Sequence, residues 1–237
     1  EVYREAGAKV TFVGHPLLDI VKPAWDKETA YRQFAADPER PVVLLMPGSR
    51  KQEVDQLLDI MLSAAEKIRR VMPDCQFFLP AATTISREML QNKLDKYALS
   101  VQITVGNTYD LMQIANLAIA ASGTATLETA LMKVPTIVVY KTSPITYFIG
   151  RQLIKIPYVS LPNIIAGRQI VPELLQEEAN AARVADEALR ILSDWDIYSQ
   201  TIEDLTAMRQ TLGSGGAVRR TAELVLEVAA EQPGGKE

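Results

Sequence analysis

The sequence predicts an α/β fold in which helices cover both faces of a parallel sheet and further helices follow at the C-terminal end. Two observations support this prediction. Short apolar runs typical of buried strands alternate with helical segments between about residues 41 and 140. From Pro172 onward the pattern is wholly helical. Such alternation produces parallel strands that are joined by right-handed crossovers, as in Rossmann-like folds.

The predicted elements follow in chain order. Residues 1–22 are expected to form a short helix, a strand at Val10–Val13 and a loop, and residues 23–40 a linking segment. Segment 157–168 is rich in Pro, Asn and Gly, which predicts a loop. The C-terminal helices are expected to break at Asp194 and at 213–216. Predicted strands lie at 42–46, 76–79, 101–104, 117–120 and 136–140, and predicted helices at 53–70, 85–96, 108–115 and 124–132.

Composition excludes several classes of function. The chain has 237 residues with 25 basic and 29 acidic side chains, a balance that argues against an unspecific nucleic-acid binder. Its single cysteine, Cys75, excludes an internal disulfide and is expected to be a core thiol, and with a single histidine a Cys/His zinc site is not expected. No apolar run approaches the roughly 20 residues of a bilayer span. We therefore expect a cytoplasmic protein without metal or cofactor, or one that touches a membrane from the side.

A tight turn at Ser122, Gly123 and Thr124 separates the strand-like run 117–120 from a predicted helix. The first N–H groups of a helix lack intrahelical partners and carry partial positive charge, so they are a natural seat for phosphate. Glu128 lies about one turn into the same helix and is within reach of a sugar hydroxyl. The turn therefore predicts a diphosphate and a ribose, although an ordinary helix cap explains the same residues.

A second turn of this kind follows the strand-like run 42–46. Gly48 permits a sharp turn, Ser49 is a capping residue, and Arg50 can make a forked contact with phosphate oxygens. Alternatively, Arg50 is only a solvated charge in a loop. Two such turns fit one nucleotide site at the carboxyl edge of a parallel sheet. Because neither turn has the glycine-rich dinucleotide fingerprint or the phosphate-loop motif, NAD and ATP are not favoured.

Several segments closely resemble the lipid-A-disaccharide synthase family. The block 158–168 is the most specific of them, whereas the segments before it alone indicate a nucleotide-sugar glycosyltransferase of the GT-B kind. The resemblance runs from Glu1 to about Ala230 and implies that the chain is one half of a GT-B fold, lacking most of the N-terminal domain. The resembling segments are 12–19, 47–50, 122–128, 158–168 and 171–176.

The resemblance implies a specific reaction. Members of this family transfer 2,3-diacylglucosamine from its UDP conjugate to 2,3-diacylglucosamine 1-phosphate, releasing UDP and inverting the anomeric centre to form a β-1,6 linkage of lipid A, the lipopolysaccharide anchor. GT-B enzymes usually need no metal, since a helix terminus and basic side chains stabilise the departing diphosphate. The family's candidate general base lies in the N-terminal domain. The resemblance thus implies that this chain binds the donor and is inactive, or nearly so, by itself.

The resemblance also implies roles for individual residues. Arg50 would contact the diphosphate beside Gly48 and Ser49, and Glu128 would hold the ribose hydroxyls. The phosphate cradle would consist of Ser122, Gly123 and Thr124. Asn163 would lie at the donor sugar or the diphosphate, with Gly167 and Arg168 shaping the same loop. For that loop an ordinary turn remains an alternative. His15, the sole histidine, is expected to form a structural hydrogen bond or a wall of the interdomain cleft rather than to act as the base.

Four regions follow from the elements and the resemblance together. Residues 1–40 are expected to be the end of an N-terminal domain and a linker, and residues 41–180 a UDP-sugar-binding Rossmann-like domain. Residues 181–231 are expected to be helices that pack back on an N-terminal domain or swap between protomers of a homodimer. Residues 232–237 are expected to be a disordered tail.

The apolar segment 145–156 places Arg151 and Lys155 one helical turn apart, as in an interfacial helix on the inner membrane, although a core helix with two solvated cations fits equally well.

Two other functions remain open. One is a UDP-sugar epimerase on the same fold, and the other is a non-catalytic module that binds a lipid or a partner helix.

Overall fold

The structure, a computed structural model, describes residues 2–142 and 157–231. In this part of the chain, six parallel strands form one sheet in the order β3-β2-β1-β4-β5-β6. The order reverses between β1 and β4, as in doubly wound folds. The strands are β1 (Val42–Met46), β2 (Gln76–Ala81), β3 (Val101–Val105), β4 (Leu117–Ala121), β5 (Thr136–Tyr140) and β6 (Glu173–Leu175). The predicted α/β fold is confirmed.

Helices connect these strands and extend to the end of the described chain. The short helices before the sheet are α1 (Val2–Glu5), α2 (Leu17–Ile20) and α3 (Lys27–Gln33). Those that alternate with the strands are α4 (Lys51–Val71), α5 (Arg87–Leu94), α6 (Thr108–Met112), α7 (Thr124–Leu131) and α8 (Leu161–Ala166). The C-terminal helices are α9 (Ala181–Ser193), α10 (Trp195–Thr211) and α11 (Ala217–Glu231).

The sheet has a core on each of its faces because neighbouring residues of a strand point to opposite sides. Leu45 packs with the buried face of α4 and with α9, whereas Leu44 packs with α3 and α6 on the other face. Both leucines are fully buried. Burial on both faces explains why the central strands β1 and β4 are continuous apolar runs rather than alternating ones. Cys75 belongs to this core, and burial raises the pKa of its thiol to about 11.

The structure corrects the prediction for residues 157–168, which contain helix α8 instead of a loop. Pro162 lies in the first turn of this helix, where its fixed φ and missing N–H are tolerated. Gly167 ends it with a φ of +67°, a left-handed conformation that glycine adopts without strain. The residues that predicted a loop therefore mark the two ends of a short helix.

Three further expectations need correction. Residues Val10–Val13, which were predicted to be a strand, have no regular secondary structure, and the next element is helix α2. The linking segment 23–40 contains α3, whose N-terminus is capped by the Asp26 side chain. The C-terminal part is not wholly helical, because residues 173–175 form β6 beside β5. Three residues are too few to produce a readable strand pattern.

The breaks at Asp194 and in the glycine-rich turn before α11 are confirmed. Helix α9 packs on α4, and α10 packs on α7 and α8. Helix α11 contacts α2, and its Val218, Val225, Leu226 and Val228 are more than half exposed. The guanidinium of Arg220 joins the turn before α11 to the N-terminal segment by donating hydrogen bonds to the carbonyls of Val13 and Ser214.

Some expectations lie outside the described residues, namely those for segment 145–156 with Arg151 and Lys155 and for the tail 232–237. The domain boundaries predicted at residues 40 and 180 stay predictions. Helix α3, which lies before the first boundary, and helix α9, which lies after the second, both pack against the sheet or its helices. Of the helices that the structure describes, none combines the length and the hydrophobicity needed to cross a membrane.

Candidate functional site

Two strand-to-helix turns form opposite walls of one cavity. Strands β1 and β4 are hydrogen-bonded neighbours in which Met46 is paired with Ala120, so the turns that follow them leave the same edge of the sheet side by side. This edge lies where the strand order reverses, the usual place for a ligand in an open α/β sheet. The cavity encloses about 370 Å³. Seven predicted site residues line it, namely Gly48, Ser49, Arg50, Ser122, Gly123, Thr124 and Glu128.

The wall formed by the β4–α7 turn presents backbone donors. Gly123 is extended at the N-cap of α7, and no side chain caps this helix, so the first N–H groups of the helix have no intrahelical partner, and the residues that carry them line the cavity. The turn is fixed by the Ser122 N–H, which donates to the Val139 carbonyl over 3.1 Å, and by the Thr126 hydroxyl, which donates to the Gly123 carbonyl over 2.7 Å. Donors of this kind at a helix N-terminus have the chemistry to bind an anion.

The wall formed by the β1–α4 turn is organised by Glu53, which the sequence analysis missed. Its Oε2 accepts hydrogen bonds from the N–H groups of Ser49 and Arg50 over 3.1 and 3.2 Å. Its Oε1 lies 2.7 Å from Nη1 of Arg50. A glutamate three residues after the N-cap takes the second position of a capping box, but Arg50 occupies the N-cap where that motif has Ser or Thr, so the sequence motif did not identify Glu53.

Glu128 lies half-buried on α7, at the border between this cavity and an adjoining hollow that Tyr109 also lines. The hydroxyl of Tyr109 donates a hydrogen bond to Oε1 of Glu128 over 3.2 Å. Burial raises the pKa of Tyr109, and the neighbouring carboxylate of Glu128 raises it further. The tyrosine is therefore a neutral donor that orients the carboxylate at physiological pH.

Asn163 does not line the cavity. It is fully buried, and its amide nitrogen donates to the Val171 carbonyl and to Oε1 of Glu173 over 2.9 and 2.7 Å. Its amide oxygen accepts from the N–H groups of Ile170 and Val171. With its donors and acceptor used inside the protein, Asn163 holds α8 to the chain before β6. The ligand contact that the resemblance implied for Asn163 stays a prediction.

Gly167 and Arg168 also lie away from the cavity lining. Arg168 forms a two-pronged ion pair with Asp204, with N–O distances of 2.9 and 2.6 Å, and this pair ties the end of α8 to α10. Glu173 is a second residue that the sequence analysis missed. Its carboxylate accepts from the N–H groups of Val159 and Ser160, and the Ser122 hydroxyl donates to the Val159 carbonyl over 3.1 Å. Segment 159–173 is therefore joined to the β4–α7 turn by this hydrogen bond.

His15 has a structural contact and does not line the cavity. The ring nitrogen Nδ1 accepts a hydrogen bond from the Leu17 N–H at the start of α2 over 3.2 Å. The backbone N–H of His15 donates to the Leu212 carbonyl. Within the described ranges, no three His, Cys, Asp or Glu side chains come together as metal ligands would.

The chain is similar to known proteins over nearly all of its length. A family model described as lipid-A-disaccharide synthetase matches residues 1–228. The lipid-A-disaccharide synthase of Geobacter sulfurreducens is 41% identical over 230 residues, which are 97% of this chain and 60% of that protein. The protein of the same name from Syntrophus aciditrophicus is 42% identical over 95% of this chain and 59% of its own length. The chain thus spans about 60% of the relatives that it matches.

Solved structures share the fold at low identity. The UDP-GlcNAc 2-epimerase of Neisseria meningitidis, bound to UDP-GlcNAc, superposes with a TM-score of 0.63 at 14% identity and covers 91% of this chain and 54% of its own. The C-terminal domain of a group 1 glycosyltransferase from Francisella tularensis gives 0.54 at 13% identity and covers 84% of this chain and 98% of its own. These likenesses support the fold and carry no residue roles.

Proposed function

Because the chain belongs to the lipid-A-disaccharide synthetase family, we propose that it is the UDP-donor-binding part of an inverting hexosyltransferase. The donor is UDP-2,3-diacylglucosamine, and the acceptor is 2,3-diacylglucosamine 1-phosphate. The products are UDP and the β-1,6-linked disaccharide of lipid A. No cofactor is required.

The observation that carries this proposal is the meeting of the Gly48 and Gly123 turns across one cavity at the switch point of the sheet. In the proposed complex, the first N–H groups of α7 bind the diphosphate, and the side chain of Arg50 approaches it from the other wall. Glu128 accepts hydrogen bonds from the ribose hydroxyls. These assignments use groups of the right chemistry within one cavity of nucleotide-accommodating size.

The same arrangement supplies a mechanism for departure of UDP. As the bond between the anomeric carbon and the diphosphate oxygen breaks, negative charge develops on that oxygen. The helix terminus and Arg50 stabilise this charge in the transition state. The acceptor hydroxyl attacks from the opposite side, which inverts the configuration, and its proton passes to a base. The family resemblance assigns that base to the N-terminal domain, so we propose that this chain alone binds UDP without efficient turnover.

Calorimetric titration with UDP, using ADP and GDP as controls, tests the proposal. We expect micromolar-range binding of UDP, loss of binding in Glu128→Ala, and weaker binding in Arg50→Ala because a charged contact to the diphosphate is removed. Equal affinity for the three nucleotides would refute the uridine assignment. An unchanged affinity in Glu128→Ala would refute the ribose contact.

The alternatives receive less support. The structures named as UDP-N-acetylglucosamine 2-epimerases share the fold at 14–15% identity, whereas the synthase relatives are about 40% identical over the aligned residues. A UDP-GlcNAc epimerisation assay separates these two activities. A non-catalytic lipid- or partner-binding module would act through segment 145–156, outside the described residues, and would bind detergent or vesicles regardless of UDP.

We also propose a homodimer that contacts the cytoplasmic face of the inner membrane from the side. The exposed apolar side chains of α11 support an assembly, since an apolar surface of this kind is stabilised when another surface covers it. Sedimentation analysis tests the dimer, and flotation with anionic vesicles tests the membrane contact. A monomer that stays in the vesicle-free fraction would contradict both.

A further inference from the structure

The two walls of the cavity are unequal in charge. The β4–α7 wall presents N–H groups that no side chain caps. On the β1–α4 wall, the corresponding N–H groups and the Arg50 guanidinium are occupied by the carboxylate of Glu53. Among the described residues that line the cavity, Arg50 is the one cation, and Glu53 and Glu128 are both anionic. A diphosphate that entered this arrangement would meet more negative than positive side-chain charge.

The position of Glu53 depends on Gly48. A Cβ atom at residue 48 would lie 2.2 Å from Oε2 of Glu53, so only glycine leaves space for the carboxylate against the turn. The φ of +111° at Gly48 also favours glycine. The Arg50 side chain is 80% exposed and that of Glu53 is 27% exposed, so the cation can move outward while the carboxylate lies in the cavity wall.

We propose that Glu53 is an internal counterion that competes with the diphosphate for Arg50 and for the N–H groups of Ser49 and Arg50. Binding of the diphosphate then displaces the carboxylate from these donors, and the exchange lowers the affinity for UDP. This inference rests on the proposed function and adds regulation of affinity at the same site. A capping residue alone needs only the backbone donors, whereas Glu53 also neutralises the cation that the ligand would use.

The test compares UDP, uridine and inorganic pyrophosphate in calorimetric titrations of the full chain and its Glu53→Gln variant. Glutamine keeps the shape and an acceptor oxygen but removes the charge. We expect Glu53→Gln to bind UDP and pyrophosphate about fivefold more tightly, the scale of a partly exposed ion pair, with no change for uridine. Glu88→Gln is the matched control, because Glu88 is exposed in the first turn of α5 and does not line the cavity. This control should match the unmodified chain.

Unchanged or weaker binding of UDP by a folded Glu53→Gln variant would overturn the inference and leave the proposed function standing. Failure of the unmodified chain to bind UDP would count against the proposed function, and the pyrophosphate titration would then decide the role of Glu53 separately. Glu53→Ala serves as a second variant and should tighten binding in the same direction. If neither variant folds, Glu53 is a helix cap that folding requires, and the competitor role is overturned.

Discussion

The hydroxyl of Tyr109 donates a hydrogen bond to Oε1 of Glu128 over 3.2 Å and joins α6 to α7 at the border of the candidate site. Because burial and the adjacent carboxylate raise the pKa of Tyr109, the hydroxyl keeps its proton at neutral pH. The contact fixes the direction of the Glu128 carboxylate and leaves Oε2 for the ribose hydroxyl that we propose it binds. Tyr109 therefore acts through Glu128 as a positioning residue.

Replacing Tyr109 with phenylalanine tests this relationship. We expect UDP affinity to fall about threefold to tenfold, because one hydrogen bond that orients the carboxylate is lost. Calorimetric titration measures the change, and thermal unfolding checks that the variant is folded.

A double-mutant comparison shows whether the effect passes through Glu128. In a Glu128→Ala background, where binding is measured at high ligand concentration, Tyr109→Phe should have no further effect. Independent, additive losses would mean that Tyr109 contacts the ligand by itself.

Gly123→Ala should separate ligand binding from stability. The backbone of Gly123 is extended, and a Cβ atom there would meet no protein atom within 4 Å, so the fold should tolerate alanine. The added methyl group lies beside the N–H groups that we assign to the diphosphate. We expect UDP affinity to fall about tenfold or more, because the ligand can no longer approach the backbone. Calorimetry and urea unfolding measure the two quantities.

Gly167→Ala is the matched control, with the opposite expected outcome. Its φ of +67° strains an alanine, so the free energy of unfolding should fall by about 1 kcal/mol. UDP affinity should remain that of the unmodified chain, because Gly167 does not line the cavity. Loss of UDP binding in Gly167→Ala at full stability would restore this residue to the site.

The two turns that line the cavity could be predicted because each depends on local sequence. Parallel strands that are covered on both faces read as continuous apolar runs, and the predicted limits of β1 and β5 match the observed ones. The turn residues Gly48 and Gly123 each lie two residues after the end of a strand, β1 and β4 respectively. Their meeting in one cavity depends only on the pairing of these two strands.

The roles of Asn163 and Glu173 could not be assigned in the same way. Each is defined by groups that the fold brings to it, and for Asn163 these groups lie seven to ten residues farther along the chain. A buried amide and a ligand-binding amide have the same appearance in a sequence. Only burial and the count of satisfied hydrogen bonds distinguish them.

The main effect of Asn163→Ala is therefore expected to be a lower free energy of unfolding rather than a loss of ligand binding. The substitution leaves the N–H groups of Ile170 and Val171 without their acceptor inside the protein, and we expect a loss of about 3 kcal/mol or more in the free energy of unfolding. Urea denaturation measures this loss. Asn180→Ala is a matched control at an exposed helix N-cap and should cost about 1 kcal/mol. A stable Asn163→Ala protein that fails to bind UDP would instead support a contact between Asn163 and the diphosphate.

The ion pair between Arg168 and Asp204 predicts a dependence of stability on acid pH. The hydrogen bonds from Arg168 hold the pKa of Asp204 below its ordinary value of 3.8 in the folded protein. A carboxylate with a depressed folded-state pKa stabilises the fold at pH values above its unfolded pKa, and this contribution is lost as the pH falls through the folded-state pKa. Asp204→Asn should therefore be less stable than the unmodified chain at pH 7, and the difference should shrink below about pH 3.8.

Urea midpoints measured between pH 7 and pH 2.5 for both proteins test this expectation. Asp186→Asn provides a control, because Asp186 is an exposed aspartate of α9 with no ion pair among the described residues. Its stability curve should follow that of the unmodified chain across the range. A constant difference between Asp204→Asn and the unmodified chain at every pH would show that the stabilising contact does not depend on the charge of Asp204.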